Sequence, residues 1–212
     1  NIFIKSDFDS VNYDNYAFSS SSVELNFSKY HLSQDVLGIG FINSKKQQLN
    51  TKLQSENLSM ELYWTGREIS FTTFLRQSES ENELRLGGAL EFLEDSIELA
   101  ISQSDIKFFS KNWAFVDGNS LKISEGDYLF ENFGIKSQDE QIIANGEFSM
   151  HSSKSLMIKI DSFNIENIND LVEQHDFKGT ANGFINIQNF QNQLLLSTEL
   201  SLLDIYLDEF LI

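Results

Sequence analysis

Apolar and polar residues alternate through almost the whole of this chain, in short runs separated by small turns, and no proline interrupts them. That pattern constrains the fold more than any other feature. A period of two puts alternate side chains on opposite faces of a strand. Leu58, Met60, Leu62 and Trp64 share one side, and after Gly66 so do Ile69, Phe71, Thr73 and Leu75. Leu84, Leu86, Gly88, Leu90 and Phe92 form the next face; Ile97, Leu99 and Ile101 form another beyond the turn at Glu94-Asp95. Leu121 and Ile123 precede the turn Glu125-Gly126-Asp127. Ile142, Ala144, Gly146, Phe148 and Met150 lie on one side of the following run, and Leu156, Ile158 and Ile160 continue the pattern. Gly179 to Gly183 opens a strand carrying Ile185 and Ile187, and Leu194, Leu196, Thr198, Leu200 and Leu202 make one more.

The count is about sixteen strand-length segments at roughly 8–12-residue spacing, which predicts an all-β antiparallel meander. Proline removes a ladder hydrogen bond from a central strand, so its absence suits a continuous sheet. One segment, residues 167–174, reads as a short helix, with Ile168, Leu171 and Val172 on one side. Nearer the start, residues 2–8 read as a strand, with a turn at Asp9-Ser10 and a further segment over 11–18. The serine run at 19–22 reads as an exposed turn or strand edge. The apolar run at 36–42 contains Gly38 and Gly40, so it is either a buried strand or a place of close backbone approach. Leu49, Thr51 and Leu53 share a face. The acidic stretch at 78–83 reads as a hairpin tip. No low-complexity linker marks a boundary, so residues 1–212 read as a single domain. Both ends fall inside strand patterns, as expected of a piece of a longer protein.

Composition excludes several functions. The net charge is −17, from 32 acidic and 15 basic residues, which repels phosphate backbones and disfavours nucleic acid. It also disfavours docking to anionic lipid surfaces through a basic patch. There is no cysteine, hence no disulfide, thiolate metal site or cysteine nucleophile. No run of 18 apolar residues is present to form a membrane-spanning helix. His31, His151 and His175 are far apart and read as turn residues rather than a catalytic or metal set. The acidic groups at Asp7 and Asp9, 79–83, Glu94-Asp95 and Asp139-Glu140 lack the calcium-loop spacing and read as solvated hairpin tips. No glycine-rich phosphate cradle occurs. Trp64 and Trp113 read as packing residues. No catalytic residue, metal or cofactor is expected.

What remains is the apolar face itself. A wide sheet with one apolar face and no helices to cover it is a liability in water unless something occupies it. A sandwich, a closed barrel and a folded half-pipe holding an apolar guest all solve the problem, and periodicity does not choose among them.

The segment from Phe108 to Gln188 resembles the TamB family, the translocation-and-assembly-module proteins within the AsmA-like group, and is most similar to the versions of the Bacteroidota. The residues that carry the resemblance are Asn112-Trp113, Gly118-Asn119, the run from Phe133 to Ile135, Asn145-Gly146, Leu156-x-Ile158-x-Ile160, Phe163-Asn164-Ile165 and the Gly179-x-x-x-Gly183 spacing. They cover about 80 residues; residues 1–107 follow only the general pattern. The resemblance implies a β-taco half-pipe with an apolar groove, in a periplasmic bridge that carries phospholipid or another acyl lipid between the inner and outer membranes. It also implies an inner-membrane anchor outside this sequence and an outer-membrane barrel partner of TamA-like or BAM-type. The groove would be lined by Leu58, Met60, Leu62, Leu84, Leu86, Leu90, Phe92, Ile97, Leu99, Ile101, Leu121, Ile123, Phe148, Met150, Leu156, Ile158, Ile160, Ile185, Ile187, Leu194 and Leu196. Two other functions stay open: an assembly factor for outer-membrane proteins acting through exposed strand edges, and a structural or adhesive module with a closed core. Unpaired edges at the ends would also favour end-to-end self-association.

Overall fold

The computed structural model describes residues 1–14, 16–29, 36–48, 54–78, 80–108, 111–171, 176–190, 193–208 and 210–211. Leu49, Thr51, Leu53, Val172, His31 and His175 lie outside these. Fifteen strands are present among the described residues, and the protein is all-β, an antiparallel meander. They are β1 (Ile2–Tyr13), β2 (Tyr16–Lys29), β3 (Val36–Gln48), β4 (Gln54–Thr65), β5 (Glu68–Gln77), β6 (Glu83–Phe92), β7 (Ser96–Phe108), β8 (Lys111–Phe115), β9 (Ser120–Ser124), β10 (Asp127–Ser137), β11 (Glu140–Ser149), β12 (Ser155–Asn164), β13 (Phe177–Phe190), β14 (Gln193–Leu207) and β15 (Phe210–Leu211). The helical expectation over 167–174 becomes a 3-10 helix at Ile165–Leu171, entered through Asn164, whose side-chain oxygen accepts from the Glu166 amide.

The chain divides into two compact units, Asn1–Glu94 with Glu98–Asn112, and Asp95–Ile97 with Trp113–Ile212. In the first, β1 to β6 pair in sequence order, each antiparallel to the next. In the second, β8 and β9 lie end to end along β10, as one strand interrupted at Val116 to Asn119, and β10 to β15 follow in order.

Two expectations for the first unit are corrected. Asp9-Ser10 is not a turn: β1 runs through it to Tyr13. The serines at 19–22 are not a turn: they lie inside β2, where Ser19, Ser21 and Ser22 are paired on both sides. Ser21 is buried because its hydroxyl donates to Ser44 Oγ at 2.9 Å, so neither polar group is left unpaired. The register of β1–β4 also passes over one row, Asp9–Ser20–Lys45–Asn57, where Ser20 and Asn57 have φ of 49° and 57°. Beyond that row the inward side is taken by Gln47 and Ser55, which are buried, with Ser55 donating to Gln47 at 3.1 Å. The run at 36–42 is a strand but not a buried one, since Leu37, Ile39 and Phe41 are exposed beside the glycines, and what approaches the glycines is side chain rather than backbone. It is strand β3, and a Cβ at Gly38 would sit 2.9 Å from the ring of Phe27.

Candidate functional site

Register decides which side chains share a face, because partners across an antiparallel ladder point the same way. In the first unit one row reads Ile2, Phe27, Gly38, Trp64, Ile69, Leu90. The next reads Ile4, Leu25, Gly40, Leu62, Phe71, Gly88, and a third Ser6, Val23, Ile42, Met60, Thr73, Leu86. Leu75 pairs with Leu84 on the same side. The expected residues Leu58, Met60, Leu62, Leu84, Leu86 and Leu90 therefore come together on one face. Phe27 and Trp64 meet edge to face at 6.0 Å across the gap that Gly38 leaves, and the Trp64 indole donates to the Gly66 carbonyl at 2.9 Å. Around Gly38 and Gly40 lies an apolar hollow of about 210 Å³ lined by Leu25, Phe27, Leu62, Trp64 and Ile69.

The second unit has the same construction. One row reads Phe130, Gly146, Leu156, Ile187, Leu196, with Leu121 of β9 facing Phe130. The next reads Phe133, Ala144, Ile158, Ile185, Thr198; a third reads Phe115, Ile135, Ile142, Ile160, Gly183, Leu200. Phe163, Ala181 and Leu202 form a fourth. Tyr128 stands between Ile123 and Phe148. From β10 to β14, five strands at about 4.8 Å spacing give a row about 19 Å long, a little more than one leaflet's share of a ~30 Å hydrocarbon core.

Most of the expected residues are thus assembled, with distinctions. Ile97, Leu99 and Ile101 lie on β7, where Ile101 is buried and Ile97 is 38% exposed. Phe92 ends β6, its amide donating to the Arg67 carbonyl. Leu194 lies on the apolar side but opposite Asn189, so its row is mixed. Met150 is a correction: it has left β11 for the turn that follows, where the Asn189 side chain donates to its carbonyl, so it is not part of the strand face. The sequence reading missed Phe115, Phe130, Phe133 and Phe163 as lining residues. Their ring contacts, Phe115 to Phe133 at 5.4 Å and Phe130 to Phe133 at 6.1 Å, place an aromatic cluster in the middle of this face. Trp113 is a packing residue, buried against Phe163 at 6.4 Å.

The apolar side chains of these faces are half-buried on the inner strands and exposed on the outer strands β1 and β14. Among the described residues, Ile101, Trp113, Leu156 and Ala181 are the buried hydrophobic side chains, while Leu196 is 61% exposed and Leu202 53%. A larger hollow, about 590 Å³, lies elsewhere, among Glu61, Thr72, Phe74, Arg85, Gln103 and Asp105 of the first unit. Glu61, Thr72, Phe74 and Arg85 pair on the side of β4–β6 opposite the apolar rows, and the Arg85 guanidinium sits over the Phe74 ring at 5.0 Å. No grouping of histidine and acidic side chains suited to a metal ion occurs among the described residues.

Charge is organised at the turns. Lys154 bridges Asp127, at 3.3 Å, and Glu147. The Ser149 hydroxyl and then the Lys154 ammonium hold the Asp127 carboxyl below its ordinary value, and Glu147 above all raises Lys154. The His151 ring occupies the space over Gly126, where a Cβ would lie 2.4 Å from Nε2. Glu140, buried, accepts from the Asn164 amide at 2.9 Å and from the Asn167 side chain at 2.7 Å, tying the start of β11 to the 3-10 helix. Each of these groups has a structural partner.

No protein-family model matches the chain, and no curated protein or solved structure matches it.

Proposed function

We propose that this chain is a segment of an apolar-grooved periplasmic bridge that passes phospholipid acyl chains between the inner and outer membranes and so contributes to outer-membrane biogenesis. The observation that carries the reading is the pair of apolar sheet faces, half-buried along their inner strands and exposed on the outer strands, at Ile2 and Ile4 of β1 and at Leu196, Leu200 and Leu202 of β14. An apolar face of that extent needs a guest. Exposing hydrocarbon to water costs roughly 0.8 kcal/mol per CH₂, so an acyl chain of about sixteen carbons faces on the order of 10 kcal/mol on leaving a bilayer. An apolar face removes most of that barrier. Bilayer and face are both apolar, so net transfer is near neutral and the face conducts without trapping. No chemistry on the lipid is required, and an outer-membrane barrel protein of TamA-like or BAM-type would receive the cargo.

The test is mass spectrometry of organic extracts of the purified protein, followed by transfer of labelled phospholipid between vesicles by the wild type and by Leu121→Asp. The expected result is co-purified phospholipid and impaired transfer by a folded variant. A protein free of lipid, or a folded variant that transfers normally, would sink the proposal. Failure of Leu121→Asp to fold would point instead to a filled structural core, and capture of an unfolded barrel strand without lipid to an assembly factor.

A further inference from the structure

The aromatic cluster of the second unit exists only because β10 slips by one residue. Between Phe130 and Phe133 the register with β11 shifts, and Asn132 takes φ 46°. Strict alternation would put Phe130 and Phe133 on opposite faces; the extra residue of a bulge returns Phe133 and Ile135 to the side of Phe130 and Tyr128. The bulge frees the Asn132 amide from the ladder, and the Asn145 side-chain oxygen accepts from it at 2.8 Å. Asn145 sits between Ala144 and Gly146, so its side chain stands on the face opposite the apolar one. Gly146 follows with φ 109°, and a Cβ there would lie 2.5 Å from the Ser155 carbonyl oxygen.

The same set recurs two strands on. The register of β12 with β13 shifts between Ile160 and Phe163, and Ser162 takes φ 50°. The Ser162 amide donates to Asn182 Oδ1 at 2.7 Å, and Gly183 follows at φ 143°, where a Cβ would lie 2.0 Å from the Glu199 carbonyl oxygen. Again the bulge keeps an aromatic residue, Phe163, in line with Ile158 and Ile160. Two sites with the same bulge, the same asparagine acceptor and the same glycine are one device used twice.

We infer that Asn145 and Asn182 are positioning residues for the apolar face. Each clasps, from the outer side, the bulge that keeps the next aromatic residue on the lipid-facing side. They touch no guest; they act through Phe133 and Phe163. This inference rests on the proposed lipid function for its consequence but not for its geometry, so two readouts separate the two. Amide hydrogen exchange on Asn145→Ala and Asn182→Ala reports the clasp. The Asn132 and Ser162 amides respectively should exchange about tenfold faster, the factor equivalent to about one net hydrogen bond. Asn145→Asp and Asn182→Asp, which keep an acceptor oxygen in place, should restore slow exchange at neutral pH. Retention of labelled phosphatidylethanolamine by the same proteins reports the face: it should fall in the alanine variants and recover in the aspartate ones. Unchanged exchange at both amides in the alanine variants overturns the clasp. Faster exchange with unchanged retention, in a protein whose wild type retains lipid, leaves the clasp as architecture and overturns its role for the apolar face. A wild type that retains no lipid refutes the proposed function, and the exchange result then stands alone. If the double alanine variant does not fold, each single variant carries the test, since the two clasps lie on different strand pairs.

Discussion

Threonine at Leu196 and at Leu156 separates an open apolar face from a covered one. The two leucines belong to the same row and point the same way, linked through Ile187. Leu196 is 61% exposed and Leu156 8%. Complete burial of a leucine is worth about 2 kcal/mol, so Leu196, roughly four-tenths buried, contributes about 0.8 kcal/mol. Threonine keeps the preference for a strand, and the loss at Leu196 should stay under about 1 kcal/mol. Leu156→Thr loses nearly the full transfer energy, leaves a cavity and buries a hydroxyl, a cost of about 3 kcal/mol. Urea denaturation of the two variants against wild type measures both numbers, and constant m-values would show that the two-state comparison holds. The triple variant Leu196→Thr, Leu200→Thr, Leu202→Thr should remain folded and retain less phospholipid. A loss above about 2 kcal/mol at Leu196, similar to that at Leu156, would show the face to be covered, and the reasoning from exposure would fail.

Three further outcomes follow from particular contacts. Ser44→Val should cost about 1–3 kcal/mol because it strands the buried Ser21 hydroxyl, whereas Ser21→Val with Ser44→Val should cost less than the single change; denaturation midpoints that simply add would contradict this. The Trp113 indole N–H is buried with no acceptor among the described residues, so Trp113→Phe should be much milder than Trp113→Ala, whose cost should reach about 3–5 kcal/mol by thermal melts. The Asp127 carboxyl is held below its ordinary value in the folded state, so its stabilising contribution is full above the unfolded value and is lost as pH falls through the lower, folded value. An NMR titration of its carboxyl should give a midpoint below that of an unperturbed aspartate, rising in Ser149→Ala; a midpoint at or above the unperturbed one in the wild type would refute the assignment of its partners.

Faces were legible in the sequence wherever alternation is unbroken. Leu58 to Leu62, Leu84 to Leu90 and Leu156 to Ile160 were placed correctly by period alone, because a strand offers no other way to arrange them. Bulges defeated the same reasoning. Asn132 and Ser162 add one residue each, so Phe133 and Phe163 fall out of phase with their neighbours and were not counted as lining. Around Asp9 and Ser20 the sequence reads as the end of a strand, because an irregular row within a strand and a turn use the same small polar residues. The buried serines were unreadable for another reason: Ser21 and Ser44 are 23 residues apart and become partners only once β2 and β3 pair. A signal for the bulges does exist in Asn145-Gly146 and Asn182-Gly183. In isolation each resembles a hairpin turn, and only the following strand shows that the chain goes straight on.

Pairing in sequence order has a consequence for how such a protein can change size. Within each unit a strand leans on the strands beside it and on little else, so stability accrues neighbour by neighbour. A duplicated hairpin would bring its own ladder and its own share of apolar face, and would lengthen that face by about 10 Å without asking any distant residue to adapt. Gene segments encoding two strands are thus natural currency for insertion and loss. Reach can be adjusted over evolutionary time while each local pairing is kept.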